Sequence, residues 1–282
     1  DLLSAMLAGV DKKTGEKLDD VNVRAQIVTF LIAGHETTSS LLSFALFFLL
    51  NHPEVLAKAT AEVDLVLGND LSKPPTYDQL RKLKYITRVL NESLRLAPPA
   101  PAFSRSPYEK RLLAGKYEVT PDDLLTVLVP MLHRDRSVWG DDAESFHPEA
   151  HFGPEAEKKR PANAFKPFGT GQRSCIGRQF ALQEATLALA MILQRFVLYA
   201  PRVYRLQIRE ALTIKPANLF MKAKLRSQVD QMLLPLTDEP ATGHAVQPTM
   251  AEEATTGAQA AQTLPQAVGT ELLVLYGSNA GT

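Results

Sequence analysis

One ten-residue stretch, Phe168-Gly-Thr-Gly-Gln-Arg-Ser-Cys-Ile-Gly177, constrains this chain more than any other. It carries the only cysteine, Cys175, among loop glycines and just ahead of a long apolar segment. A cysteine thiolate needs help to persist near neutral pH, because a free thiol titrates at about 8.5. Three kinds of help are in reach: the Arg173 guanidinium, backbone N–H groups freed at Gly171 and Gly177, and the positive end of a helix opening near Gly177. Gly169, Gly171 and Gly177 are expected to use backbone angles closed to other residues, which would let a flat ligand approach the main chain.

A cysteine held this way can be a nucleophile, a zinc ligand, the axial ligand of a haem iron, or an inert buried residue. Zinc is disfavoured, since there is no second cysteine and no spaced histidine pair nearby. The spacing narrows the rest. Phe-x-x-Gly-x-Arg-x-Cys-x-Gly matches at Phe168, Gly171, Arg173, Cys175 and Gly177. Ordinary residue frequencies would give it by accident in roughly one chain of this length in ten thousand, or fewer. The stretch resembles the haem-binding loop of the cytochrome P-450 family. That resemblance implies heme b with Cys175 as the axial iron ligand and Arg173 as a propionate partner. It places Phe168 beside the sulfur, tuning its potential, with Gly169 and Gly177 shaping the loop. Thiolate ligation pushes electron density toward O–O cleavage.

Composition sets wide bounds. The 282 residues are 45% hydrophobic, with 31 basic and 31 acidic side chains, enough for one large core or two modest ones. Zero formal charge gives no reason to expect nucleic acid or an anionic membrane surface as partner. A single cysteine fits a reducing, cytoplasmic setting, and the opening Asp-Leu-Leu-Ser-Ala-Met-Leu is not a cleavable signal. The apolar run from Ile27 to Leu50 is broken by Gly34-His-Glu-Thr-Thr-Ser-Ser40, leaving less than the roughly twenty residues a membrane span needs.

That same run predicts a long helix, capped by Asp19 or Asp20 and stopped at Asn51-His52-Pro53. Thr37 lies four residues after Ala33, so its hydroxyl can take the Ala33 carbonyl and loosen the helix there. Satisfied threonines in a core helix are the plainer alternative. The stretch resembles the family's oxygen-activating helix, which implies that Thr37 and Glu36 guide protons to dioxygen and that Ala33 lines the pocket. A second helix follows from His52 to Gly68, and Thr76 with Gln79 forms a capping box for a third. Leu80, Leu83, Ile86, Leu90 and Leu94 give that third helix its apolar stripe. On it, Glu92 and Arg95 match the family's Glu-x-x-Arg pair, a buried structural ion pair beside the haem.

Ala97-Pro98-Pro99 ends the helix, and residues 101–130 read as a small sheet with a hairpin at Ala114-Gly115. By family position, Ala100 and Phe103 approach the substrate pocket, as does Ile214 on a later hairpin. Residues 132–152 read as irregular. Here the chain departs from the family: Phe146-His-Pro-Glu-Ala-His-Phe152 lacks the arginine that completes a triad with the Glu-x-x-Arg pair. His151, when protonated, or Arg134 could take its place. After the cysteine loop, Gly177 to Phe196 reads as helix and Val203 to Leu225 as short strands.

Residues 226–270 turn to Ala, Thr, Gln and Pro with no aromatic residue, the composition of a flexible linker. Leu272-Leu-Val-Leu-Tyr276 then reads as a buried strand feeding Gly277-Ser-Asn-Ala-Gly-Thr282. This resembles the start of a flavodoxin-type FMN domain, with Ser278, Asn279 and Thr282 as phosphate donors. The expected architecture is therefore mainly α with a small β portion. Residues 1–225 form the C-terminal part of a P-450 fold, 226–270 a linker, and 271–282 the first strand of a flavodoxin-like domain. That order resembles self-sufficient fusions of a P-450 with its NADPH reductase. It implies electrons from NADPH through FAD and FMN, O2 as co-substrate, and C–H hydroxylation of a fatty acid. Two alternatives stay open: a peroxide-using or isomerising haem-thiolate protein, and a non-catalytic fragment that cannot hold haem.

Overall fold

The computed structural model describes residues 2–200, 205–211 and 213–226. The expected linker past Arg226 and the flavodoxin-like start, with Ser278, Asn279 and Thr282, lie outside the described residues. A short helix α1 (Leu2–Ala8) precedes α2 (Asp20–Asn51), which runs unbroken through the Gly34–Ser40 stretch. Asp19 caps α2 by accepting the Asn22 N–H at 2.7 Å. Pro53, at the first position of α3 (Pro53–Leu67), has no N–H to continue the ladder, and α3 leaves α2 at 115°.

The single helix expected from Thr76 onward is two. The Thr76–Gln79 capping box is present, and opens α4 (Tyr77–Lys82). The chain then kinks at Leu83 and restarts as α5 (Lys84–Leu96). The restart is stabilised from α3: the Glu62 carboxylate accepts the Tyr85 and Ile86 N–H groups at 2.7 and 2.9 Å. A carboxylate at a helix N-terminus satisfies orphan donors and meets the positive dipole end. The apolar stripe reads straight through this break, so periodicity alone could not show it.

Strands β1 (Ala102–Arg105) and β4 (Leu125–Leu128) pair antiparallel, enclosing the hairpin of β2 (Arg111–Leu113) and β3 (Tyr117–Val119). Its turn places Ala114 at φ 52° and Gly115 at φ 67°, as a tight hairpin requires. Residues 132–152, expected to be irregular, hold two short helices, α7 (Arg136–Trp139) and α8 (Pro148–Phe152), flanked by α6 (Val129–Leu132) and α9 (Pro154–Lys159). After the cysteine loop come α10 (Arg178–Arg195) and β5 (Phe196–Tyr199), which pairs with β8 (Lys222–Leu225). Strands β6 (Ile208–Glu210) and β7 (Ile214–Pro216) make the last hairpin.

Helices α2, α3, α5 and α10 share one core, with Phe44, Val63, Ile86, Leu90 and Leu189 fully buried. Each large apolar side chain removed from water there stabilises the fold by about 1.5–3 kcal/mol. The core grips only the C-terminal part of α2: Leu41 to Leu49 contribute to it, whereas Val21, Leu31 and Ile32 are exposed. Among the described residues no single helix is long and apolar enough to cross a membrane.

Candidate functional site

Two elements meet at a cavity of about 290 Å³. Helix α2 contributes Ala33, Thr37, Thr38 and Leu41; the loop ahead of α10 contributes Phe168, Gly169, Arg173 and Cys175. Pro99, Ala100 and Phe103 close another side, and Ala181 on α10 reaches the wall. The wall is largely apolar, with one thiol, two hydroxyls and two cationic side chains set into it.

The cysteine loop is built from main-chain bonds. Cys175 donates its N–H to the Phe168 carbonyl at 2.9 Å, closing the loop, and a single 3-10 turn spans Gly171–Arg173. Gly169 and Gly171 lie at φ 69° and 71°, the left-handed region where a β-carbon is disfavoured. Gly177 differs from the expectation. Its φ is −84°, open to any residue, and a β-carbon there would rest in ordinary contact 3.8 Å from the Cys175 sulfur. Gly177 is the N-cap residue of α10, so Cys175 stands just before an 18-residue helix. Arg105 on β1 donates to the Thr170 carbonyl and fastens the outer limb of the loop.

Behind the loop lies a dense polar frame. Arg95 is fully buried and uses all five guanidinium N–H groups. Two reach Glu92, at 2.7 and 2.8 Å, and three reach the carbonyls of His133, Ala143 and Ser145. Glu92 also accepts the His147 N–H at 2.9 Å and His151 Nδ1 at 2.8 Å. Of the two candidates for the missing arginine, His151 therefore meets Glu92. Arg134 binds the Leu96 and Pro130 carbonyls and the Glu144 carboxylate instead. Burial pushes the Glu92 carboxyl up, but the Arg95 and His151 hydrogen bonds outweigh it and hold it below its usual range.

His133 is a member of this frame that no sequence signal singled out. Its Nδ1 donates to the Arg95 carbonyl at 3.1 Å and its Nε2 accepts the Lys166 N–H at 2.9 Å. Both contacts suit one neutral tautomer, and burial pushes its pKa down to about 3. His133 thus ties α5 to the segment that leads into the cysteine loop.

On α2 the Thr37 hydroxyl donates to the Ala33 carbonyl at 2.7 Å, the expected back-bond. Thr37 and Ala33 line the cavity, but Glu36 does not; its carboxylate lies 3.3 Å from Lys215 Nζ on β7. Ala100 and Phe103 are on the wall. Ile214 is not: it packs against the main core, and its N–H donates to the Pro99 carbonyl at 3.0 Å.

A cysteine in a glycine-shaped loop and a helix presenting a threonine thus share one apolar cavity, with an arginine on its rim. These residues fit a haem: a soft thiolate ligand for iron, a cation for a propionate, and apolar surface for the ring. The sequence matches the family model for cytochrome P450 over residues 1–223, and the chain belongs to that family.

It is similar to two proteins of Bacillus subtilis (strain 168). To bifunctional cytochrome P450/NADPH–P450 reductase 1 it is 54% identical over 228 residues, covering 81% of this chain and 21% of the relative. To reductase 2 it is 49% identical, covering 100% of this chain and 25% of the relative. The bifunctional cytochrome P450/NADPH–P450 reductase of Bacillus cereus is 47% identical, again over 100% of this chain and 25% of the relative. The chain spans about a quarter of the length of the curated relatives it matches.

Proposed function

We propose that these residues supply the cysteine loop and part of the oxygen-side wall of a haem-thiolate monooxygenase. In this reading the enzyme works within a longer chain carrying its own NADPH-dependent FAD and FMN reductase. It hydroxylates a C–H bond of a small hydrophobic substrate, with long-chain fatty acids as the class the family resemblance favours. The observation that carries the reading is that Cys175 and Thr37 line the same apolar cavity.

Cys175 would hold the iron, Arg173 a propionate, and Phe168 would pack beside the sulfur. Bound there, the haem supplies the redox chemistry that turns dioxygen against a C–H bond. The chain's own residues do the rest. Ala33 has no bulk beyond its methyl group and leaves room over the cavity. Thr37 can turn its hydroxyl from the Ala33 carbonyl toward the cavity, giving up one proton there and accepting another from behind. Glu36, the adjacent carboxylate, is the source of that second proton. Ala100 and Phe103 set the width available to an alkyl chain, and the apolar wall disfavours stray water.

The test is spectroscopic. In the haem-loaded fusion, the reduced protein with carbon monoxide should show the strongly red-shifted Soret band of thiolate ligation, and Cys175→Ser should abolish it. A band that survives the substitution overturns the assignment. One observation favours a second reading for the 282 residues on their own: Val21, Leu31 and Ile32 on α2 are 75%, 68% and 55% exposed. We infer that the isolated piece does not hold haem stably. It should then purify colourless and stay so on haem addition, while the fusion does not.

A further inference from the structure

The ion pair between Glu36 and Lys215 joins residues 179 positions apart and ties the oxygen-side helix to the last hairpin. Glu36 and Thr37 are successive on α2, so their side chains diverge by about 100° around the helix. Thr37 takes the cavity wall; Glu36 falls on the neighbouring face, against β7. Both partners are partly shielded, with side-chain exposures of 24% for Glu36 and 35% for Lys215. The Glu36 main chain is pinned too, because the Ser39 and Ser40 hydroxyls both donate to its carbonyl, at 3.0 and 2.7 Å. Its side-chain torsions are therefore the freedom left to the carboxylate, and Lys215 holds their outer end.

We propose that Lys215 is the positioning residue for Glu36: it keeps the carboxylate off the cavity wall, and its release sets when Glu36 can serve Thr37. This rests on the proton-relay role given to Glu36 and Thr37 above. Paired with an ammonium, a carboxylate is an acceptor and has no proton to give. To act, Glu36 must leave Lys215, take a proton from solvent, and turn toward Thr37. It then donates that proton to Thr37 Oγ1 while Thr37 passes its own hydroxyl proton into the cavity. Glu36 ends as the carboxylate it began as and can return to Lys215.

The hairpin that carries Lys215 is also fastened to the other side of the cavity. Ile214, the residue before it, donates its N–H to the carbonyl of Pro99, and Pro99 and Ala100 line the wall. A substrate that displaces the Pro99–Ala100 segment therefore pulls on the strand that holds Lys215. This gives a route by which an occupied cavity frees the carboxylate and an empty one keeps it stored.

A double-substitution cycle in the full-length fusion tests this: Lys215→Met, Glu36→Gln and the pair together. Two quantities are read: unfolding midpoint, and the fraction of NADPH consumed that appears as hydroxylated product. Lys215→Met should alter NADPH consumption without substrate and lower the product fraction several-fold, and Lys215→Arg should restore both. In the Glu36→Gln background, Lys215→Met should change the product fraction no further. A drop of the same size in that background would show that Lys215 merely supports the hairpin, and would overturn the proposal. So would an unchanged product fraction in Lys215→Met with Glu36 intact. Additive midpoints would deny that the pair exists in solution. If the unsubstituted fusion gives no coupled product at all, it is the monooxygenase reading that fails.

Discussion

The two walls of the cavity are held in opposite ways. Behind the cysteine loop, Glu92, Arg95, His133 and His151 are buried, and the guanidinium has every donor used. On α2, four hydroxyls bond along their own helix: Thr29 to Ala25, Thr37 to Ala33, Ser40 to Glu36 and Ser43 to Ser39. The first wall is a frame whose parts depend on one another across long sequence separations. The second is one helix whose hydroxyls bond within a turn of themselves, and of these four Thr37 is the one that lines the cavity. We assign stability to the first and, on the relay proposed above, proton traffic to the second. Substitutions should therefore separate the two.

The largest effect is expected from Arg95→Ala. Removing one partner of a buried ion pair leaves an uncompensated charge, at a cost of about 3–5 kcal/mol. It also orphans the carbonyls of His133, Ala143 and Ser145. Urea denaturation should show a protein that barely folds or does not fold at all. A loss under about 1 kcal/mol would mean that the frame is not what it looks like.

Next in size is acidification. His133 stays neutral in the fold, pushed by burial to about 3, whereas the unfolded chain protonates it near the ordinary value of 6.5. The unfolded state thus binds more protons between these limits, and stability falls as pH drops below about 6.5. Glu92 acts in the same direction lower down: held below its ordinary 4.5, it contributes stability that is fully present above that value and is lost beneath it, as pH falls through its lowered one. Urea midpoints should decline from pH 7 to pH 5, and His133→Gln should flatten that slope. An unchanged slope in that variant would assign the acid sensitivity elsewhere.

A smaller effect is expected at His151. Its Nδ1 reaches Glu92, while among the described residues Nε2 has no hydrogen-bond partner and Asp142 Oδ1 lies 3.5 Å away. His151→Ala removes one hydrogen bond to a charged group, about 1.5–3 kcal/mol, and leaves Arg95 in place. Its Glu92 partner keeps the His147 N–H as well. If the loss equals that of Arg95→Ala, the histidine and the arginine act as one unit.

How much of this the sequence disclosed follows the same division. Local chemistry was legible: the Asp19 cap, the Thr76–Gln79 box, the Pro53 restart and the Thr37 back-bond each depend on residues within four positions of one another. The Glu92–Arg95 pair and the Phe168–Gly177 loop were legible because their spacings resemble those of a known family. What stayed hidden joins distant residues of ordinary type. Glu62 capping α5 from α3, His133 bridging Arg95 to Lys166, and Lys215 reaching Glu36 leave no periodic or compositional trace. The placement of Ile214 was misjudged for a related reason: a strand's register decides which neighbour faces the cavity, and register follows from pairing partners.

The smallest change in stability is expected at Thr37, and it sharpens the comparison most. A threonine inside a helix restricts its own side chain, and a back-bond to the i−4 carbonyl slightly weakens the helix there. Alanine at Thr37 relieves both and is the better helix former, so Thr37→Ala should leave the urea midpoint within about 0.5 kcal/mol of the original. The same substitution takes one of the two hydroxyls on the cavity wall and, on the relay proposed above, the step between Glu36 and the cavity. In the full-length fusion, NADPH should still be consumed while less of it yields product, the balance appearing as peroxide. Thr37→Ser keeps the hydroxyl and should recover most of the product. If Thr37→Ala instead lowers stability as much as His151→Ala and leaves the product fraction intact, Thr37 belongs to the frame, and the division between the two walls fails at its most exposed point.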